Sequence, residues 1–295
     1  MKAPVFLGAA TALVTPFHNH AIDFDAFDRL IDFQLDAGIP ALVVCGTTGE
    51  ASTISADEKI ALFDHAVKYV AGRAKVIAGI GTNDTQKSIS LAKYAEHCGA
   101  DALLAVTPYY NKCTQEGLIA HYTAIAEKTE LPMIVYNVPS RTGFNLLPET
   151  WSKLSENPKI NGLKEASGNI SQIAKSIYKS KNGAAIWSGN DDQIAPVMSL
   201  GGKGVISVLS NVRPRAVKKM VDACLQGNYS EAAELQLRFL PLIDALFSEV
   251  NPIPVKAALA KMGIGSDETR LPLTRISDEK KNILYSVLES LPDIC

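Results

Sequence analysis

The sequence lacks a surplus of either charge and lacks long apolar runs. Among its 295 residues, 29 lysines and arginines face 31 aspartates and glutamates, which gives a net charge of -2. Because no basic surplus is available to neutralise phosphates, these numbers argue against nucleic-acid binding. The longest apolar runs fall short of the roughly 20 residues that a membrane-spanning helix needs, so we expect no membrane span.

Paired cysteines are also absent. The five cysteines stand at positions 45, 98, 113, 224 and 295, without a CxxC pair or a Cys/His group at zinc spacing. This pattern is typical of reduced thiols in a cytoplasmic protein and predicts no metal site. The apolar stretch 5–14 resembles a short signal peptide. A first buried strand explains it as well, and the cysteine pattern favours the strand.

Glycine-rich nucleotide-binding loops are missing too. The first apolar run ends in Thr15-Pro16-Phe17 rather than in GxGxxG, and the sequence contains no P-loop pattern. The two GxG stretches, at 79–81 and 263–265, lack the third glycine. These absences argue against a doubly wound dinucleotide-binding fold.

What the sequence does contain is a regular alternation of short apolar runs and amphipathic stretches. The apolar runs predict strands at 5–14, 41–45, 75–80, 101–106, 132–137, 160–164, 184–188 and 203–209. The amphipathic stretches predict helices at 25–37, 56–71, 84–98, 115–129, 148–156, 169–180, 191–200 and 213–227. Eight strand–helix pairs are what an α/β protein of the (β/α)₈ TIM-barrel class needs, whereas a doubly wound sheet usually has fewer strands.

The strand rhythm stops after residue 228. Helical patterns alone follow, at 229–248, 252–262 and 278–291, around a turn-rich break at 267–272. We therefore predict a barrel domain at 1–228 and a small C-terminal helical domain at 229–295.

Lys164 is the most informative residue at the carboxyl ends of the predicted strands, where barrel enzymes carry their active sites. Strand alternation predicts that Ile160, Gly162 and Lys164 share one face. Burial lowers the pKa of a lysine and leaves a free amine that forms Schiff bases with carbonyls. From residue types alone, a surface lysine or one paired with Glu165 remains an alternative.

A glycine- and threonine-rich loop follows the second strand at 46–50, with the sequence GTTGE. Its backbone N–H groups, together with the hydroxyls of Thr47 and Thr48, are suited to binding a carboxylate or an oxyanion. An ordinary turn is the alternative, with Ser55 and Glu58 forming a capping box for the next helix.

Two further side chains follow the fifth strand. Tyr136 is placed for general acid–base chemistry, and Arg141 suits bidentate capture of a carboxylate. A core tyrosine and a loop salt bridge are the alternatives. After the fourth strand, the adjacent Tyr109 and Tyr110 are typical of an interface.

Taken together, these motifs resemble the signatures of the dihydrodipicolinate synthase family. The matching segments are 46–50 (GTTGE), 136–143 (YNVPSRTG), 164–168 (KEASG) and 251–256 (NPIPVK). Each motif is modest alone, but their order and spacing are highly specific. The resemblance covers nearly the whole chain, from residue 8 to residue 272.

The resemblance implies a (β/α)₈ barrel with a C-terminal helical domain, usually assembled as a homotetramer. It implies condensation of pyruvate with L-aspartate 4-semialdehyde, the first committed step of lysine and diaminopimelate synthesis, in the cytoplasm. It implies a covalent imine of pyruvate on Lys164 and no organic or metal cofactor.

Roles for seven further residues come with the resemblance. Tyr136, Thr47 and Tyr110 match the family's proton relay, and Tyr110 would reach the site across a dimer interface. Thr48 would bind the pyruvate carboxylate, and Arg141 would hold the carboxylate of the semialdehyde. Gly189 and Ile206 match positions that line the pyruvate pocket.

Two other functions stay open. N-acetylneuraminate lyases and sugar-acid aldolases share the barrel, the Schiff-base lysine and the tyrosine, but Arg141 and the pair Thr47-Thr48 favour the synthase. A barrel that only binds a 2-oxo acid is the non-catalytic alternative. The set Lys164, Tyr136 and Arg141 argues against it, because a binding protein needs no amine at the reacting carbon.

We predict weak or absent inhibition by L-lysine. Inhibited relatives bind it in a cleft between subunits lined by histidines and a glutamate, and the matching positions here are Ala56, Lys59 and Lys87, although Asn83 and Tyr109 remain. The two lysine ammonium groups would repel that of the ligand. The measurement is a titration of activity with L-lysine, and half-inhibition below millimolar concentration would contradict the prediction.

Overall fold

A computed structural model describes residues 2–294 and contains a closed barrel of eight parallel strands. The strands, here named β1 to β8, are Gly8–Ala12, Ala41–Val44, Lys75–Gly79, Ala102–Val106, Met133–Asn137, Ile160–Glu165, Ala185–Ser188 and Gly204–Ser207. The last strand closes on the first, with Ala10 opposite Ile206. The predicted (β/α)₈ barrel is confirmed. The apolar stretch 5–14 contains β1.

Helices follow the strands. They are α1 (Phe24–Asp36), α2 (Ala56–Val70), α3 (Thr85–Cys98), α4 (Gln115–Ala126), α5 (Pro139–Thr142), α6 (Pro148–Leu154), α7 (Ile170–Lys179), α8 (Ile194–Ser199) and α9 (Pro214–Leu225). The predicted capping box is present at the start of α2. The Glu58 N–H donates to Ser55 Oγ over 3.2 Å, and the Ser55 N–H donates to Glu58 Oε2 over 2.8 Å.

Five short elements went unpredicted. An antiparallel ribbon pairs Phe17–His18 with Ala21–Ile22, and α5 occupies part of the loop after β5. Single 3₁₀ turns lie at Asp191–Gln193 and Leu209–Asn211. The first of these shortens the helix expected at 191–200. Elements of two to four residues are too short to show a hydrophobic period, so the sequence pattern carries no signal for them.

Two apolar clusters form the core. A large cluster fills the space between strands and helices, and a smaller one fills the barrel interior, where Ile77, Leu104 and Ile134 meet. Phe6, just before β1, stacks on Trp187 with ring centroids 4.8 Å apart. Because the interior is packed with apolar side chains, the barrel leaves space for a substrate towards the carboxyl ends of its strands.

A β-bulge corrects one predicted detail of β6. Met133 pairs with Ile160 but the next residue, Ile134, pairs with Gly162, so Asn161 is the extra residue. Ile160 consequently packs in the outer cluster and does not share a face with Gly162 and Lys164. The Asn161 side chain is held by the N-terminal segment, since its Nδ2 donates to the Ala3 carbonyl over 2.8 Å.

The chain after α9 is helical, with α10 (Tyr229–Leu246), α11 (Ile253–Lys261) and α12 (Asp278–Ser290). These helices pack on the barrel: Arg213 before α9 donates through Nη2 to the Leu288 carbonyl and through Nε to that of Leu291, each over 2.6 Å. The division into domains at residue 228 stays a prediction.

Four of the five cysteines, at positions 45, 98, 113 and 224, are free thiols, and Cys295 lies outside the described residues. Within residues 2–294, no helix combines the length and the apolar character needed to cross a membrane.

Candidate active site

Lys164 lies inside the barrel mouth. It sits on β6 beside Trp187 of β7, and only 5% of its surface is exposed. Gly189 makes room for it, because a Cβ at that position would lie 3.1 Å from Lys164 Cε. The Nζ atom lies 4.2 Å from the centroid of the Tyr136 ring. Lys164 therefore neither extends to the surface nor forms an ordinary surface pair.

Burial lowers the pKa of Lys164 from 10.5 to about 7, with the Asp191 carboxyl opposing the shift and the Arg141 guanidinium adding to it. A lysine with such a pKa is partly unprotonated at neutral pH, and the free amine is the nucleophilic form. The site thus contains an activated amine in an enclosed position.

The neighbouring Glu165 points to other partners. Asn137 Nδ2 lies 3.1 Å from both of its carboxyl oxygens, and the Ser167 N–H donates to Oε1 over 2.7 Å. Burial raises the pKa of Glu165, and these hydrogen bonds oppose the shift. The alternative in which Glu165 pairs with Lys164 is therefore wrong.

A cavity of about 220 Å³ opens beside Tyr136 at the carboxyl ends of β2 to β5. Thr47, Tyr136 and Arg141 contribute polar groups to its wall. Gly79 and Gly81 line it where neighbouring backbones come close: a Cβ on Gly79 would overlap the Cys45 carbonyl.

Tyr136 combines a buried ring with a hydroxyl at the cavity. Burial raises its pKa, while the Arg141 guanidinium and the Thr47 hydroxyl lower it. The tyrosine is therefore protonated at neutral pH and is able to donate a proton. Tyr136 lines the cavity, and its role as a general acid–base group stays a prediction.

Asn251 connects the two predicted carboxylate-binding residues. Its Nδ2 donates to Thr48 Oγ1 over 3.0 Å, and its backbone carbonyl accepts from Arg141 Nη2 over 3.2 Å. Thr48 and Asn251 are buried, whereas Arg141 is exposed. Arg141 hydrogen-bonds to a backbone carbonyl, in contrast to the loop salt bridge that the sequence left as an alternative. The sequence motif 251–256 contained Asn251, but nothing in it indicated this contact.

A buried ion pair fixes the end of the 46–50 loop. Lys256 Nζ donates to Glu50 Oε1 over 2.6 Å, and both side chains are 1% exposed. Glu50 Oε2 accepts the Arg270 N–H over 3.0 Å. Glu50 has a left-handed backbone with φ of 57°, which is uncommon for a non-glycine residue and here is held by these contacts.

The remaining predicted residues are divided between barrel and surface. Ile206 is fully buried in the barrel interior, and Gly189 lies against Lys164. Tyr110 is 92% exposed and does not line the cavity, whereas its neighbour Tyr109 does.

Three positions were matched to the cleft that binds L-lysine in inhibited relatives. Lys59 is buried, and burial lowers its pKa, while Lys87 and Ala56 are exposed.

Comparison with known proteins identifies the family. The sequence model of the dihydrodipicolinate synthetase family matches residues 5–291. The chain belongs to this family. It is 50% identical over 286 residues to the 4-hydroxy-tetrahydrodipicolinate synthase of Caldicellulosiruptor saccharolyticus, covering 97% of each chain.

Solved structures agree with this membership. The dihydrodipicolinate synthase of Thermotoga maritima superposes with a TM-score of 0.95 at 44% identity, over 97% of this chain and 98% of that one. A chloride-inhibited dihydrodipicolinate synthase of Acinetobacter baumannii, in complex with pyruvate, gives a TM-score of 0.94 at 39% identity, over 96% and 98%.

Replacing Lys164 by methionine is expected to stabilise the fold in a pH-dependent way. The folded-state pKa of about 7 lies below the ordinary 10.5, so between these values the unfolded chain binds more protons and stability rises with pH. Lys164→Met removes the cost of burying the charge. We expect the free energy of unfolding to rise by on the order of 4 kcal/mol at neutral pH.

The measurement is denaturant unfolding of parent and variant across the pH range from about 7 to 10.5. The stabilisation must shrink as the pH rises, because the parent lysine loses its charge in the unfolded chain as well. Lys203 is exposed, so Lys203→Met is the control, and we expect no pH-dependent gain in stability from it. A stabilisation by Lys164→Met that is equal across this range would contradict the lowered pKa.

Proposed function

We propose that this protein is a 4-hydroxy-tetrahydrodipicolinate synthase that condenses pyruvate with L-aspartate 4-semialdehyde in lysine and diaminopimelate synthesis. The observation that carries the proposal is the buried Lys164 amine, 4.2 Å from the Tyr136 ring centroid. Family membership and the 50% identity to a curated synthase support it. The pyruvate complex of the Acinetobacter baumannii relative supports pyruvate as the first substrate.

In the proposed first step, unprotonated Lys164 attacks the keto carbon of pyruvate. The resulting carbinolamine loses its hydroxyl as water after protonation, and an iminium forms between the lysine nitrogen and C2. Tyr136 is the proposed donor of that proton, because its ring centroid lies 4.2 Å from the Lys164 amine and its side chain lines the cavity.

In the second step the iminium acts as an electron sink. The pyruvate methyl group loses a proton and becomes an enamine carbon, which attacks the aldehyde carbon of the semialdehyde and forms the new C–C bond. Attack of the semialdehyde's amino group on C2 then closes the ring and releases Lys164 as a free amine. Protons would pass through the relay Tyr136, Thr47 and Tyr110.

Carboxylate recognition is assigned to two sides of the site. Thr48 binds the pyruvate carboxylate with its hydroxyl and N–H, while Gly189 and Ile206 line the pyruvate pocket. Arg141 binds the carboxylate of the semialdehyde at the cavity wall. The contact of Asn251 with both Thr48 and Arg141 supports these roles, since it fixes the two carboxylate-binding side chains relative to each other.

The proposed assembly is a homotetramer that works in the cytoplasm, without an added cofactor. The exposure of Tyr110 supports an interface, because a tyrosine that is 92% exposed and has a left-handed backbone with φ of 70° is well placed to contact another subunit. Tyr110 would then enter the active site of the partner subunit.

The test of this function is the condensation assay with pyruvate and L-aspartate 4-semialdehyde, on the parent and on Arg141→Ala. We expect activity in the parent. In the variant, we expect at least a 100-fold loss of kcat/KM for the semialdehyde with a much smaller change for pyruvate, because the lost charge-assisted hydrogen bonds act on one substrate.

The exposed Arg238→Ala is the matched control and should retain full activity. Equal losses for both substrates would contradict the role of Arg141. A parent enzyme that cleaves N-acetylneuraminate or a sugar acid, and ignores the semialdehyde, would contradict the proposed function itself.

A further inference from the structure

Two buried polar side chains face each other directly behind Tyr136 and Lys164. Asn137 follows Tyr136 on β5 and Glu165 follows Lys164 on β6, and the register pairs Asn137 with Glu165 just as it pairs Tyr136 with Lys164. Because successive strand residues alternate between the two faces, Tyr136 and Lys164 point into the barrel while Asn137 and Glu165 point towards the helices. Both polar side chains are fully buried.

The preceding residues on the same outer face are apolar. Val135 of β5 and Leu163 of β6 are fully buried in the large cluster between strands and helices. A carboxyl group in such a place gives little net stability, since its desolvation opposes what its hydrogen bonds contribute. The polar pair is therefore better explained by the geometry that it fixes than by the free energy that it contributes.

The hydrogen bonds of the pair cross from one strand to the other. Asn137 Nδ2 lies 3.1 Å from both carboxyl oxygens of Glu165, while Asn137 Oδ1 accepts the Leu146 N–H over 2.9 Å. The Ser167 N–H donates to Glu165 Oε1 over 2.7 Å, and the Ala166 N–H donates to the Asn137 carbonyl over 2.9 Å. These contacts determine which way the Asn137 amide points and extend the pairing of β5 and β6 beyond the end of the ladder.

Two further amides hold the pair from the helix side. Asn137 Nδ2 also donates to Asn145 Oδ1 over 2.9 Å, and Asn145 Nδ2 donates to Gln172 Oε1 of α7 over 2.8 Å. The ends of β5 and β6 therefore cannot separate without breaking contacts in the loop before α6 and in α7.

We propose that Asn137 and Glu165 are positioning residues that hold the ends of β5 and β6 together and so set the separation of Tyr136 from Lys164. The proposal rests on the function proposed above, in which Tyr136 donates a proton to the intermediate on Lys164. Neither Asn137 nor Glu165 contacts pyruvate in this account. Each acts through the residue that precedes it on its strand.

The proposed role follows from the small separation at the site. The Lys164 Nζ atom lies 4.2 Å from the Tyr136 ring centroid, and a shift of β5 against β6 would move the two side chains relative to each other. A displacement of about 1 Å in a reacting group can lower a rate on the order of 100-fold. Hydrogen bonds between the very next residues are the contacts best placed to prevent such a shift.

The test is a reciprocal exchange of the two side chains, with Glu165→Gln, Asn137→Asp and the double variant that carries both. In Glu165→Gln the new amide nitrogen faces Asn137 Nδ2, so two donors meet. In Asn137→Asp two buried carboxyl groups face each other. The double variant again has one carboxyl group and one amide between the strands, at unchanged net charge.

The readout is the rate at which pyruvate is captured on Lys164, measured by quenching with borohydride at set times and reading the intact mass. At saturating pyruvate we expect each single variant to be about tenfold slower than the parent, and the double variant to recover to within about threefold. The half-saturating pyruvate concentration should change by less than about threefold, because the proposed carboxylate contact with Thr48 is untouched.

Thr11→Val is the matched control for a loss of stability alone. Thr11 Oγ1 of β1 donates to Gln34 Oε1 of α1 over 2.7 Å, and this pair is also fully buried between a strand and a helix. The free energy of unfolding is measured for every variant. We expect Thr11→Val to lose stability and to keep the parent rate of capture. Single variants as fast as the parent, or a double variant as slow as the slower single variant, would overturn the proposal.

Crystal structures of the parent and the three variants give a readout without substrate. We expect the distance of 4.2 Å between Lys164 Nζ and the Tyr136 ring centroid to be kept in the double variant, and to change by about 0.5 Å or more in the single variants. An unchanged distance in both single variants would contradict the proposal. If the parent captures no pyruvate, the proposed function fails, and these distances still decide the positioning role.

Asn145→Ala keeps the question open to test if neither single variant folds. It removes one acceptor of Asn137 Nδ2 at a half-buried position, so the fold should tolerate it. Its rate of capture should fall about threefold, because Asn137 is then held less firmly. A rate equal to that of the parent would count against the proposal.

Discussion

The enclosure of the Lys164 amine is the constraint on which the rest of the site depends. A lysine with an ordinary pKa is charged at neutral pH and is a poor nucleophile, and burial is the largest cause that lowers its pKa to about 7. The closed barrel supplies this environment. Trp187 and the apolar interior surround the base of the Lys164 side chain, and the missing side chain at Gly189 leaves room for its methylene groups. Neighbouring charges then adjust the pKa.

The C-terminal helical segment completes the site that the barrel begins. Asn251 fixes Thr48 and Arg141, and the buried pair of Lys256 with Glu50 fixes the end of the 46–50 loop. Such an ion pair gives little net stability, but breaking it would leave an uncompensated charge inside the protein. Its value here is geometric: it holds a left-handed loop residue and, through it, the loop that carries Thr47 to the cavity.

Most of the fold followed from the sequence because it depends on periodic patterns. Each of the eight strands was an apolar run, and the strand ends placed Lys164, Tyr136 and the 46–50 loop at one rim. The bulge at Asn161 was not predictable, because an extra residue in a strand changes the pairing partner and leaves the apolar run intact.

The contacts made by Asn251 were equally invisible in the sequence. This polar residue lies in an irregular segment, far from its partners along the chain, and only the closed topology brings it to Thr48 and Arg141. Family resemblance supplied roles for Tyr110 and Arg141 that residue patterns left open. Those roles remain predictions, and for Tyr110 the decisive contact would come from another subunit.

Covalent capture of pyruvate tests the central claim most directly. The protein is incubated with pyruvate, reduced with sodium borohydride, and analysed by intact mass and peptide mapping, with Lys164→Ala as the variant and the exposed Lys203→Ala as its control. The account predicts one reduced pyruvyl adduct per chain, on Lys164, in the parent and in the control, and none in Lys164→Ala. A folded parent protein that carries no adduct, or carries it on another lysine, would contradict it.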